Sequence, residues 1–242
     1  MRFSKSLIIL ALSAGLAACG DSDKSSDNMD EALEEMTMEM GEMATNHQFM
    51  VEVVNLTAAQ PFSPVAVIAH TEGMLWQIGE PASEALEIMA EGGDNSELLA
   101  AEMTMQAASA ESPLPPGEQV TLTLTTGELD SLKISLATML VNTNDAFTGL
   151  NAIDVSSLAV NESLSRTSFA YDAGTEANSE AQGTIPGSAD SGEGYNERRD
   201  DINRVAMHPG VVSQDDGLTN SVLTSQHKFD NPVARITITR TQ

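Results

Sequence analysis

The chain has 242 residues and carries 36 Asp and Glu against 11 Lys and Arg, a formal charge of −25. A nucleic acid gains affinity by exchanging its counterions for Lys and Arg, so this balance argues against a nucleic-acid partner. A single cysteine excludes a disulfide framework and any cysteine-based zinc site, and 41% hydrophobic with only 4% aromatic residues predicts a core of aliphatic and methionine side chains.

Arg2 and Lys5 precede the apolar run Leu7 to Leu12 and the small-residue stretch Ser13 to Ala18. Six strong apolar residues are too few for a membrane-spanning helix, which needs about 20. The segment reads as a secretory leader, residues 1–18. Leu16, Ala17, Ala18 and Cys19 together resemble a bacterial lipobox. Cleavage before Cys19 would make it the first residue, its thiol carrying a diacylglycerol thioether and its new amine open to acylation. An ordinary leader with a chance cysteine is the alternative. Gly20 stands where lipoproteins kept in the inner membrane usually have Asp, which favours the outer membrane. The expected location is the bacterial cell envelope, with acyl chains holding the chain to the bilayer at about 0.8 kcal/mol per buried CH₂.

Residues 19–47 form an acidic, Met-rich tether with nine acids and one Lys between Gly20 and His47. Met29, Leu33, Met36, Met40 and Met43 recur at heptad-like spacing, but an isolated helix this short is marginal in water. A solvated acidic spacer is the plainer reading. The sharper one takes Met36, Met38, Met40 and Met43, with His47 close behind, as soft thioether ligands for copper(I). Met38 would lie off the face shared by the others on one helix, so binding would need a wrapped, open conformation.

From Gln48 onward the pattern is mostly β, predicting an all-β antiparallel sandwich over residues 48–242 with one or two short inserted helices. Phe49 to Leu56 and Val65 to His70 are apolar runs of strand length. Pro81 to Glu91 reads as a helix closed by Gly92 and Gly93, and Ser96 to about Gln106 as a second short one. Val120 to Thr125 alternates, with Val120, Leu122 and Leu124 facing in. Leu132 to Val141 is predicted to return beside it as a hairpin. Residues 183–200 read as a long irregular loop, and Ala234 to Arg240 as a last alternating strand.

Several segments together resemble the spondin domain, a module of F-spondin that also occurs alone in bacterial proteins. They are Val53 to Thr57 (VVNLT), Gln60 to Pro64 (QPFSP) with Ala69 and His70, Gly79 to Ser83 (GEPAS), Met139 to Gly149 (MLVNTNDAFTG), Tyr171 to Glu176 (YDAGTE) and Asn231 to Ile236 (NPVARI). They keep the family's order over about residues 48–240. The resemblance implies a sandwich similar to C2 domains, with one Ca²⁺ held in loops at one end. It assigns the metal to Asp145, Asp172 and Glu176. Glu176 stands where the animal proteins have Asp, one CH₂ longer. The cysteines and thrombospondin repeats of the animal members are missing, so their matrix and axon functions are not carried over.

The residue chemistry suits the ion. Ca²⁺ takes six to eight oxygens from carboxylates, carbonyls and water, and Gly174 permits a sharp turn between Asp172 and Glu176. Thr175 and Asn144 could add neutral oxygens. Two polar turns whose acids face water are the alternative in so acidic a chain. No nucleophile turn, HExxH motif or phosphate loop occurs. His70 reads as a hydrogen-bonded core residue, His208 and His227 as surface residues, and Trp76 as core. The expected protein is a non-catalytic, calcium-binding lipoprotein that contacts a protein or surface polymer. Copper handling by the Met tract and an unrecognised envelope hydrolase are the competing readings.

Overall fold

The computed structural model describes residues 46–242. The expectations for the leader, Cys19 and the Met36, Met38, Met40 and Met43 tract lie outside the described residues. Ten strands and two short α-helices make up the body. The first sheet contains β1 (His47–Asn55), β4 (Gln119–Thr126), β7 (Ser163–Ser168) and β10 (Ala234–Arg240), in the order β4-β1-β10-β7. The second contains β2 (Ala66–His70), β3 (Gln106–Ser109), β5 (Lys133–Met139), β6 (Ala146–Asp154), β8 (Ala170–Asp172) and β9 (Ala206–Met207), in the order β3-β2-β5-β6-β8-β9. Every strand pair is antiparallel. The predicted all-β sandwich is the observed architecture.

Side-chain alternation explains the first sheet. Phe49, Val51 and Val53 of β1 lie opposite Leu124 and Leu122 of β4 and Ile238 and Ile236 of β10. They form one inward row, while Thr121, Thr123 and Thr125 remain exposed. That row packs against Val67, Ile134 and Leu136 of the second sheet, the usual arrangement of two inner faces sharing one core.

The second sheet is covered on both sides. Ile68, Ala137, Met139 and Phe147 on its other face pack with Trp76 and with Leu86, Met89 and Leu98 of the inserted helices. This double burial is why β2 and β5 are apolar almost without alternation. Trp76 is a core residue, edge-on to Phe147 with centroids 5.1 Å apart. His70 is wholly buried. Its Nδ1 lies 2.7 Å from the Glu72 carbonyl and its Nε2 2.8 Å from Ser135 Oγ, the hydrogen-bonded core histidine expected.

The helices are α1 (Glu84–Gly92) and α2 (Ser96–Leu99). Ser83 caps α1 by accepting from the Leu86 N–H, and Gly93 closes it at φ 73°, donating to the Met89 carbonyl. The second helix is shorter than its pattern predicted, because Gln106 to Ser109 leave it to pair with β2 as an edge strand. The predicted hairpin of β4 with β5 does not form either. β4 pairs with β1, whereas β5 lies between β2 and β6. A strand with one exposed face and a strand buried on both belong to different sheets, and the turn near Gly127 crosses between them. The body also begins earlier than expected: His47, assigned to the tether, opens β1 and accepts at Nδ1 from Arg240, 2.9 Å away. Among the described residues no helix is long and apolar enough to cross a membrane.

Candidate cation site

Asp145 stands immediately before β6 and Asp172 closes β8, and the register places Ala146 opposite Asp172. Glu176 follows in the loop after β8. Sheet pairing therefore gathers three acids from two distant segments at one end of the six-stranded sheet. The Glu176 and Thr175 N–H groups donate to Asp145 Oδ2 at 3.2 and 2.8 Å, and the Thr175 hydroxyl lies 3.2 Å from the same oxygen. Asp172 Oδ1 accepts from the Gly174 N–H at 2.7 Å.

Gly174 makes this turn possible. Its φ is 70°, and a Cβ there would overlap the Arg204 backbone. Gly174→Ala is expected to cost at least the 1–2 kcal/mol or so of a left-handed non-glycine residue. Urea unfolding curves would show a lowered midpoint; an unchanged midpoint would mean that the turn relaxes freely.

Asp145 and Asp172 are buried, and Glu176 is partly exposed. Asp145 is fully buried, and its Oδ1 has no hydrogen-bond partner among the described residues. Burial pushes its carboxyl up to about 7, and the neighbouring Asp172 charge adds to the shift against the hydrogen bonds at Oδ2. Burial also raises Asp172, opposed by Asn178 and Gly174. Glu176 is pushed up to about 8 by burial, opposed by Asn144 and reinforced by Glu91, Asp145 and Asp200. Among the described residues, no Lys, Arg or His side chain donates a hydrogen bond to these three acids.

Neutral side chains hold the acids in place. Asn144 Nδ2 donates to Glu176 Oε1 at 2.9 Å while its Oδ1 accepts from the Glu180 N–H, so the oxygen considered as a ligand serves as a brace. Asn178 Nδ2 donates to Asp172 Oδ2 at 2.6 Å. Its Oδ1 lies 3.0 Å from His208 Nε2, and His208 Nδ1 accepts from the Gly210 N–H. Those partners fix the tautomer with the proton on Nε2, and burial lowers the ring to about 4. His208 is 5% exposed, not the surface residue expected. It sits behind Asp172 because β9 pairs with β8, a non-local fact that its flanking sequence does not carry. His227 is only partly exposed, with its ring turned onto the Thr224 N–H.

Three further acids surround the cluster and escaped the sequence reading: Glu91 on α1, and Asp200 and Asp201, which repel Glu176 and Asp172 respectively. Among the described residues no three His, Cys, Asp or Glu side chains stand together as ligands of one ion. Asp172 and Glu176 are instead turned onto Asn178 and Asn144. A cavity of about 1180 Å³ lies between the two helices and the loop at Glu72 to Leu75 and shares no residue with the cluster.

Fold and cluster together define an antiparallel β-sandwich with a buried acidic end. The chain matches no family model and no curated protein.

Proposed function

We propose that this protein is a lipid-anchored cell-envelope lipoprotein that presents a spondin-like, Ca²⁺-binding sandwich as a non-catalytic binding or adhesion module. The observation that carries the reading is Asp145, fully buried with one carboxylate oxygen unpartnered beside two more acids. A buried carboxylate must be paired, protonated or metal-bound. The hard oxygen donors favour a hard ion, and a calcium shell can be completed by loop carbonyls and water. Ion binding would require Asp172 and Glu176 to turn from Asn178 and Asn144 toward Asp145. The loops so ordered would carry the contact surface for a protein or surface polymer. The acyl chain on Cys19 would supply the membrane attachment, and the acidic segment behind it the spacing. A strongly negative body would gain nothing from docking on anionic lipid.

The test is thermal unfolding of the purified protein in EDTA and in CaCl₂. Calcium at 100 times its Kd stabilises a one-site protein by about 2.7 kcal/mol, and Asp172→Asn should lose most of that gain. Identical transitions with and without calcium would remove the proposal.

A further inference from the structure

The groove of about 1180 Å³ between α1, α2 and the loop Glu72 to Leu75 combines two kinds of surface. One is apolar. Leu75 and Leu98, both buried, line it together with the half-buried Met103, and Met74 beside them is 53% exposed. Gly73, at φ 78°, bends the loop so close to Met103 that a Cβ there would stand 3.0 Å from its sulfur. Covering such side chains is favourable by about 25 cal/mol per Å² of apolar surface. Methionine is unbranched and polarisable, so it can mould itself to a guest of irregular shape.

The other surface is negative. Glu72 from the loop, Glu84 from α1, Glu97 from α2 and Glu102 just beyond it line the same groove, and all four are exposed. No Lys or Arg lines it, and among the described residues none of the four forms an ion pair. Like charges around low-dielectric walls focus a negative potential, which draws in cations and repels anions. The chain's own segment between Gly20 and His47, with nine acids and one Lys, is therefore a poor occupant, and so is a second copy of a chain of charge −25. The groove also exceeds the roughly 300–1,000 Å³ that a small ligand fills. Apolar lining and acidic rim together suit a guest that is apolar and basic at once.

We propose that this groove docks a basic segment of a partner protein, which sets apolar side chains against Met74 and Met103 and Lys or Arg side chains against the four glutamates. Apolar anchors in a groove supply the affinity, and complementary charges at its edge supply the approach rate and the choice of partner. The site shares no residue with Asp145, Asp172 or Glu176, so it stands apart from the calcium reading. It gives the helical insertion a role beyond covering the second sheet.

The experiment titrates the full chain, with EDTA present throughout, into a short fluorescein-labelled peptide of alternating lysine and leucine and follows its anisotropy. Peptides of lysine with serine and of glutamate with leucine serve as comparators, and each should bind at least about tenfold more weakly. The double variant Glu72→Gln, Glu102→Gln, whose sites lie outside both helices, should weaken the lysine–leucine peptide about tenfold. Met74→Ser, at an exposed position, should weaken it about fivefold. The control pair Glu118→Gln, Asp130→Asn removes the same charge from exposed positions on either side of β4, and should change binding by less than about twofold. Equal losses in the two double variants, or equal binding of the lysine–serine peptide, would show only a general attraction to an acidic surface and overturn the inference. No binding of the lysine–leucine peptide would also overturn it. So would a dimer, seen by sedimentation, that Met74→Ser dissolves, which would assign the groove to a second copy. None of these outcomes touches the calcium reading, because the ion is withheld.

Discussion

Stripped of divalent ions, the protein should lose stability as the pH is raised from about 5 to about 8.5, the reverse of ordinary acid denaturation. Asp145, at about 7, and Glu176, at about 8, both bind protons more tightly folded than unfolded. Between the ordinary carboxylate range and those values the native state holds the extra protons. Stability falls with pH wherever the native state binds more protons than the unfolded one. The contribution is fully present below about pH 4 and is lost as the pH passes through 7 to 8. A tenfold difference in proton affinity between the folded and unfolded chain corresponds to about 1.4 kcal/mol. Solvent reaching the half-buried Glu176 screens part of its share, so a loss on the order of 3 kcal/mol across this window is expected. Calcium should act oppositely, adding little at pH 5, where protons occupy the carboxylates, and most at pH 8. Urea unfolding at five or six pH values, each with EDTA and with CaCl₂, would map both slopes. A flat EDTA profile would mean that the acids spread into water and share no dry pocket.

Replacing Asp145 separates charge from hydrogen bonding. Its Oδ2 is the common acceptor for the Thr175 and Glu176 N–H groups and the Thr175 hydroxyl, so it shapes the turn as well as charging it. Asp145→Ala strands two backbone donors where water is excluded, each costing about 1–3 kcal/mol. The expected net loss is about 2–4 kcal/mol at neutral pH, because removal of a buried charge offsets part of it. Asp145→Asn keeps the acceptor and sets its amide nitrogen in place of the unpartnered oxygen. It should unfold later than Asp145→Ala by a similar margin and flatten the pH profile in EDTA. Both variants should lose the calcium response. Equal stability of the two would show that the turn does not depend on this acceptor.

The same residues show why some of the arrangement was readable in advance. β1, β4 and β10 alternate because only one of their faces is buried, and alternation is a local signal. α1 was readable from its Gly92–Gly93 end, although Pro81 lies outside it and Ser83 provides the cap. β7, by contrast, is polar and mostly exposed at a sheet edge (SLSRTS), so nothing in its composition marks a strand. β6 contains Gly149, where a side chain would run into the Leu136 carbonyl, and Ala152 at φ 53°. Gly149 answers close packing against β5, and Ala152 sits at the register shift between β6 and β5 with its N–H on Ser135 Oγ; neither follows from local preference.

By itself the chain determined the class of fold, through periodic burial; the three acids later found at one sheet end were assigned by the spondin resemblance, since their spacing alone did not select them. Asp172, Gly174 and Glu176 are close in sequence, and the left-handed turn between them is a local matter. Only the tertiary structure decided that Asp145 would be buried with an unpartnered oxygen and that His208 would stand behind Asp172 through Asn178. Exposure and proximity between residues far apart in the chain depend on which strands pair and which faces are covered. Those are properties of the packed sheets, not of any stretch of residues read alone.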